Sequence, residues 1–267
     1  MHKQDLKHRL EEIVSQLDGT MSLYVDVGDE VFNFGPQERF SAASVIKVPI
    51  MMAAFMQAQR GQLDLHQVIV VPNSERVGGS GVVSRLSPGV SFPLIDLITL
   101  MIIVSDNTAT NLCIDAVGLD AINHYLALVS CTDTILGRRL MDYEARRRGR
   151  DNFVTAKDMV AVYRDLWYGT TLDANYREMA LEILYQQQFR DKLPRRLPDT
   201  DGGRVRLAHK TGELHNIEHD VGILVVDGKP AFIAVLTRDL ASIADGRAAI
   251  GEVGLAVYRY MVGETSA

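Results

Sequence analysis

Apolar positions recur along this chain with two distinct periods. Leu6, Leu10, Ile13, Val14 and Leu17 fall at helical spacing among charged residues and predict an amphipathic helix over about 3–18. Met21, Leu23, Val25 and Val27 alternate with other positions, which predicts a strand over 20–27. Gly28-Asp29 is a turn signal, and 30–35 reads as the returning strand of a hairpin. From about 44 to 60 the run containing Val45, Ile46, Ile50, Met51, Ala54 and Phe55 predicts a buried helix that stops at Gly61, with Pro49 near its start. Residues 72–92 are rich in Gly, Ser and Pro and read as irregular. Helical patterns return at 93–104, 108–117 and 119–129, and 137–152 is charged and loop-like. Thr155 caps a helix to about Tyr168, and another covers 173–188.

Beyond the Pro/Gly/Asp-rich stretch 194–203 the period changes. Segments 204–211, 220–227 and 230–237 are alternating or solidly apolar, Asp227-Gly228 marks a hairpin, and a last helix covers 243–262. Strands thus sit at both ends of the chain and helices fill the middle. The expected fold class is α/β (α+β): one antiparallel sheet built from both termini and flanked by helices, with an all-helical lobe inserted. The lobes would be 1–43 with 191–267, and 44–190. They would meet near 40–50 and 190–212, where a cleft is the natural place for a ligand.

Composition narrows the function classes. The 267 residues are 47% hydrophobic and 23% charged, an ordinary globular balance, and the net charge of −6 disfavours a nucleic-acid binder. Two cysteines are too few for a disulfide scaffold or a four-thiolate metal site, and no apolar run approaches the ~18 residues of a membrane span. The amino terminus lacks the basic start and apolar core of a secretory signal. As it stands the chain is expected in the cytoplasm, or outside it if a signal once preceded it. No cofactor is expected, and a monomer acting on a small molecule is the simplest partner arrangement.

Three short motifs carry candidate chemistry. Ser44-Val45-Ile46-Lys47 is S-x-x-K at a helix start, which sets hydroxyl and amine on one face. A serine hydroxyl needs a base to take its proton, and a lysine serves only if burial or nearby cations lower its pKa. Ser105-Asp106-Asn107 follows an apolar helix, and Lys210-Thr211-Gly212 ends a strand. Each has a bland reading as a cap, turn or strand end. By chance S-x-x-K is expected roughly 0.3 times and each triplet about 0.03 times in such a chain, so the ordered trio outweighs the bland readings.

With this trio, and with Gly81-Val82-Val83, Asp96-Leu97-Ile98, Met101-Ile102 and Thr108-Ala109-Thr110-Asn111 around it, the chain resembles the class A serine β-lactamases and related penicillin-recognising peptidases over most of its length. The resemblance implies Ser44 as acylated nucleophile, Lys47 as its proton partner and Ser105 as relay to the lactam nitrogen. It implies that Asn107 holds the substrate's side-chain amide, that Lys210 sustains a positive field, and that Thr211 binds the substrate carboxylate, with Gly212 also at the substrate. The oxyanion hole would use the backbone N–H groups of Ser44 and Glu213. Arg139-Leu140-Met141-Asp142-Tyr143-Glu144 is similar to the opening of the family's omega loop, which makes Glu144 the candidate base for deacylation. Hydrolysis of β-lactams, in a setting of antibiotic resistance or β-lactam catabolism, is the implied activity. A penicillin-binding D-amino-acid peptidase or esterase with slow deacylation is the alternative.

Some positions depart from that pattern. Arg148 stands four residues after Glu144, where the family has an asparagine, and Glu213 stands where it has a small or hydroxyl residue. The arginine for the substrate carboxylate is open among Arg195, Arg196 and Arg247. His215-Asn216-Ile217-Glu218-His219 matches a zinc-peptidase signature, but the predicted strands around it suggest a hairpin loop of about 8 residues instead of the helix a zinc site needs. The arginines of 138–150 read as a solvated loop face. Gly78-Gly79-Ser80-Gly81 lacks the lysine and spacing of a phosphate loop.

Overall fold

The computed structural model describes residues 2–198 and 203–263; positions 199–202 of the Pro/Gly/Asp-rich stretch lie outside them. In chain order the elements are α1 (Lys3–Gln16), β1 (Thr20–Val27), β2 (Glu30–Phe34), β3 (Phe40–Ser41), α2 (Lys47–Gln59), β4 (Val68–Val70), β5 (Ser91–Pro93), α3 (Leu94–Ile103), α4 (Asn107–Val117), α5 (Leu119–Leu128), α6 (Tyr143–Arg147), β6 (Phe153–Val154), α7 (Ala156–Tyr168), α8 (Ala174–Tyr185), β7 (Val205–Leu214), β8 (Ile217–Val226), β9 (Lys229–Arg238) and α9 (Ile243–Met261). The large sheet is antiparallel with order β2-β1-β9-β8-β7, so both ends of the chain build it, as the patterning predicts.

The solidly apolar strands follow from a sheet covered on both faces. Leu207, Leu224, Ala231, Ile233 and Val235 join Leu6, Leu10, Ile250 and Val253 in one apolar cluster, beneath α1 and α9. Their neighbours Ala208, Val221, Ile223, Phe232 and Ala234 point the other way. These merge with Phe55, Leu97, Ile98, Tyr125 and Tyr163 of the helices in the second cluster. Asp227 (φ 49°) and Gly228 (φ 77°) make the tight turn between β8 and β9, the two left-handed residues that a two-residue hairpin requires.

Three expectations need correction. The charged segment 137–152 contains a one-turn helix, α6, because Asp142 caps it by accepting from the Ala145 backbone N–H at 2.9 Å. The pairings β3–β6 and β4–β5 are two or three residues long, too short for any sequence period to show. The β7–β8 connection is a two-residue turn at His215-Asn216 and not a long loop, with Glu213 paired opposite Glu218. Those polar positions stay in the ladder because buried cations meet them, as described below.

Candidate active site

Ser44 lies in a 3-10 turn, Ala43–Ile46, between β3 and α2. Pro49 is the third residue of α2, where the missing backbone donor has no helical partner to lose, so the predicted helix is not broken. One turn beyond Ser44 the Lys47 side chain turns inward and is fully buried. Its Nζ donates to the Ser105 carbonyl at 2.7 Å, to Ser105 Oγ at 3.1 Å and to Asn107 Oδ1 at 2.9 Å. Burial, and secondarily the nearby Lys210, hold its pKa well below the ordinary lysine value.

Ser105 adopts φ 56° between α3 and α4, and the next residue explains how that turn is held. Asp106 caps α4 by accepting from the Ala109 N–H at 2.9 Å, while its other oxygen accepts from Val82 N at 2.6 Å and Val83 N at 2.8 Å. The preceding glycines fit closely here. A Cβ on Gly81, at φ 104°, would come within 2.2 Å of Asp106 Oδ2. The Gly-rich stretch is therefore packing against the Ser105–Asn107 turn and not a phosphate cradle. Asn107 Nδ2 donates to the Gly78 carbonyl at 3.1 Å, so both ends of this amide are engaged inside the protein.

Strand β7 completes the grouping. Lys210 is fully buried, donates to the Thr211 carbonyl at 2.9 Å, and is pushed down to about 7 by burial and by Lys192. A Cβ on Gly212 would lie 3.1 Å from Ala43 Cβ and 3.2 Å from the Ser44 backbone nitrogen. Glycine thus lets the strand pass directly beside the candidate nucleophile. Ser44, Asn107, Leu140, Asn152 and Glu213 all line one cleft of about 250 Å³.

The chain belongs to the β-lactamase enzyme family. The model of that family matches residues 5–261. Among solved structures, the chain is similar to a β-lactamase from Sphaerobacter thermophilus, at 29% identity and a TM-score of 0.90 over 100% of both chains. A variant of the last common ancestor of Gram-negative class A β-lactamases is 26% identical, with a TM-score of 0.84 over 97% of this chain and 99% of that one. The fold is shared also with PBP-A, solved as a point mutant in an acyl-enzyme complex with penicillin G, at 24% identity and a TM-score of 0.87 over 98% and 97%. A search of curated proteins returned no match. Family and neighbours support a serine β-lactamase-like hydrolase.

Within this β-lactamase-family cleft, Glu144 is not where the sequence reading puts it. Its side chain is 63% exposed, pairs with Arg148 one helical turn on, and is absent from the cleft lining. The physical reason is α6 itself: once Asp142 caps that turn, Glu144 and Arg148 stack at i,i+4 on its outer side. Leu140 lines the cleft instead, with buried Asn111 gripping its backbone from both sides: Leu140 N donates to Asn111 Oδ1 at 2.8 Å and Asn111 Nδ2 to the Leu140 carbonyl at 3.0 Å. Among the described residues two carboxylates do line the cleft, Asp151 and Glu213, and both are ion-paired. Asp151 joins Arg138 at 2.7 Å and Arg146 at 3.1 Å, so these loop arginines close the segment 138–151 instead of merely facing water.

The open arginine question also changes. Arg196 pairs with Glu252, and Arg195 packs against Gly251 of α9. Arg247 binds Asp191 at 2.7 Å and Glu218 at 3.0 Å, and lies 3.5 Å from Glu213. The zinc alternative fails on geometry: His215 sits exposed in the turn, whereas His219 is buried in β8 with both nitrogens bonded, to the Ser41 carbonyl at 2.9 Å and to the Thr237 N–H at 3.1 Å. Burial pushes the His219 pKa down to about 4, and among the described residues no group of three His, Cys, Asp or Glu could hold a metal.

Sequence reasoning missed Lys192, a fully buried lysine bonded to Glu213 and Glu218 at 2.8 Å each. One signal was available: two glutamates symmetric about a tight hairpin face each other, and like charges in register call for a cation between them.

Proposed function

We propose that the chain opens β-lactam or D-amino-acid peptide and ester bonds through a Ser44 acyl-enzyme that it releases slowly. The observation that carries this reading is the buried Lys47 amine, bonded to Ser105 and Asn107 and lowered in basicity, one helical turn from a serine on the cleft floor. In the neutral form the amine accepts the proton as Ser44 Oγ attacks the carbonyl carbon. The backbone N–H groups of Ser44 and Glu213 receive the developing oxyanion. The bond to the leaving nitrogen or oxygen then breaks, and Ser105 passes the proton to it. Removing one donor of such a hole costs about 3–4 kcal/mol in well-studied hydrolases.

Slow release follows from the carboxylates. Hydrolysis of the ester needs a base to activate water. The carboxylate expected to do so, Glu144, is on the outer side of α6, and the residue gripped at the cleft by Asn111 is the apolar Leu140. Such a chain would titrate penicillin and not destroy it, so resistance is not its expected effect. Intact mass spectrometry after mixing with benzylpenicillin tests this. One persistent adduct is expected on the native chain and none on Ser44→Ala. Rapid turnover of a chromogenic cephalosporin with no adduct would restore the ordinary β-lactamase reading. Leu140→Glu, which places a carboxylate at the gripped position, should shorten the adduct lifetime by at least tenfold, whereas Glu144→Gln should leave it unchanged.

A further inference from the structure

Among the described residues lining the cleft around Ser44, the charged ones are Arg138, Arg146, Asp151 and Glu213. Glu213 accepts from the buried Lys192 at 2.8 Å and stands 3.5 Å from Arg247. Those two cations also meet Glu218 and Asp191, the buried Lys210 donates to the Thr211 carbonyl, and none of the three lines the cleft. In the segment 138–151, Asp151 alone serves both lining arginines, which leaves one positive charge in surplus there. The neighbouring Arg139 and Arg148 have carboxylates of their own, and Asp142 is turned to the α6 backbone.

The two lining arginines use their donors differently. Arg138 is nearly buried and fully engaged: Nε donates to Asp151 Oδ1 at 2.8 Å, Nη2 lies 2.7 Å from the same oxygen, and Nη1 donates to the Arg139 carbonyl at 3.0 Å. The Arg146 side chain is 53% exposed, and its nearest approach to Asp151 is Nε to Oδ2 at 3.1 Å. Among the described residues neither Nη group of Arg146 is hydrogen-bonded. A guanidinium with both Nη groups open presents the planar fork that a carboxylate accepts bidentately. Ser44 lines the same cleft of about 250 Å³, so an acyl chain tethered to Ser44 shares a small space with that fork.

We propose that Arg146 determines specificity: its open Nη fork holds a carboxylate carried on the acyl side of the ligand, so the cleft favours donors whose acyl chain is acidic. This deepens the acyl-enzyme reading and rests on it. A neutral acyl chain, as in benzylpenicillin, is still accepted but gains nothing from the fork. If Arg146 served only to close the segment 138–151 through Asp151, replacing it would slow all ligands alike.

The test uses penicillins that share the ring nucleus and a phenyl group and differ at one carbon of the acyl chain. Carbenicillin bears a carboxylate there, benzylpenicillin no charge and ampicillin an ammonium. Adduct formation on Ser44 is followed by time-resolved intact mass at neutral pH. Relative to benzylpenicillin, Arg146→Gln should slow carbenicillin at least threefold and should not slow ampicillin. A smaller change for carbenicillin, or ampicillin slowed as much as carbenicillin, would overturn the proposal. So would a native chain that reacts faster with ampicillin than with carbenicillin. Should Arg146→Gln not fold, Arg146→Met replaces it, and the order of carbenicillin and ampicillin on the native chain still decides. Absence of an adduct with all of these penicillins overturns the acyl-enzyme reading along with this one, whereas adducts formed at unchanged relative rates overturn this one alone.

Discussion

Two fully buried lysines, Lys47 at the start of α2 and Lys192 in the segment before β7, have opposite surroundings. Lys47 donates to a carbonyl, a hydroxyl and a side-chain amide, all neutral, with the cationic Lys210 nearby. Lys192 is clasped by two carboxylates, each at 2.8 Å. Neutral acceptors satisfy hydrogen bonds without compensating a charge, so burial tips Lys47 toward the free amine that a proton acceptor must be. Carboxylates compensate the charge itself and make Lys192 part of an ion-pair lock across the β7–β8 hairpin. Side-chain type and depth are the same; the partners decide the role.

The largest expected effect breaks the Lys47 half of the comparison. Lys47→Met should slow adduct formation by about 10²–10⁴-fold, the usual contribution of a positioned base, measured by time-resolved intact mass. A loss under tenfold would remove Lys47 from proton transfer. Next, Lys192→Met leaves Glu218, 1% exposed, facing Glu213 without the lysine between them. Urea unfolding should show a loss of roughly 3–5 kcal/mol, as for breaking other buried ion pairs. The same measurement on Lys47→Met should show only about 1 kcal/mol, because what it strands are neutral acceptors. If the two substitutions cost the same, the contrast between the lysines is wrong.

A smaller effect reads the charge state directly. Lys210 is pushed down to about 7 in the folded protein, below the 10.5 of a free lysine. Between those values the unfolded chain binds more protons, so Lys210's contribution makes stability rise with pH across that window. Below about 7 both states are protonated and this slope disappears. Buried Cys113 and Cys131, raised from 9.0, and Tyr125 and Tyr163, raised above 10.0, oppose the trend toward its alkaline end. Unfolding free energies at pH 7 and 8 should therefore climb in the native chain; Lys47, lowered by the same burial, adds to the slope, so Lys210→Met should lessen that climb without abolishing it.

Much of this protein was legible locally. Period-two runs and the Asp227-Gly228 turn foretold the strands, and helical spacing foretold α1, α7 and α9, because such patterns are set by residues a few positions apart. The spacing of Ser44 and Lys47, and the Ser105 and Lys210 motifs, marked candidate chemistry for the same reason. What only the tertiary structure decided was which charge stands beside which. Glu144 and Glu213 are both glutamates near a motif, yet one pairs outward with Arg148 and the other inward with Lys192. For Glu213 that choice depends on desolvation and on a partner 21 residues away, brought close by packing, which the i,i+4 spacing that pairs Glu144 does not encode.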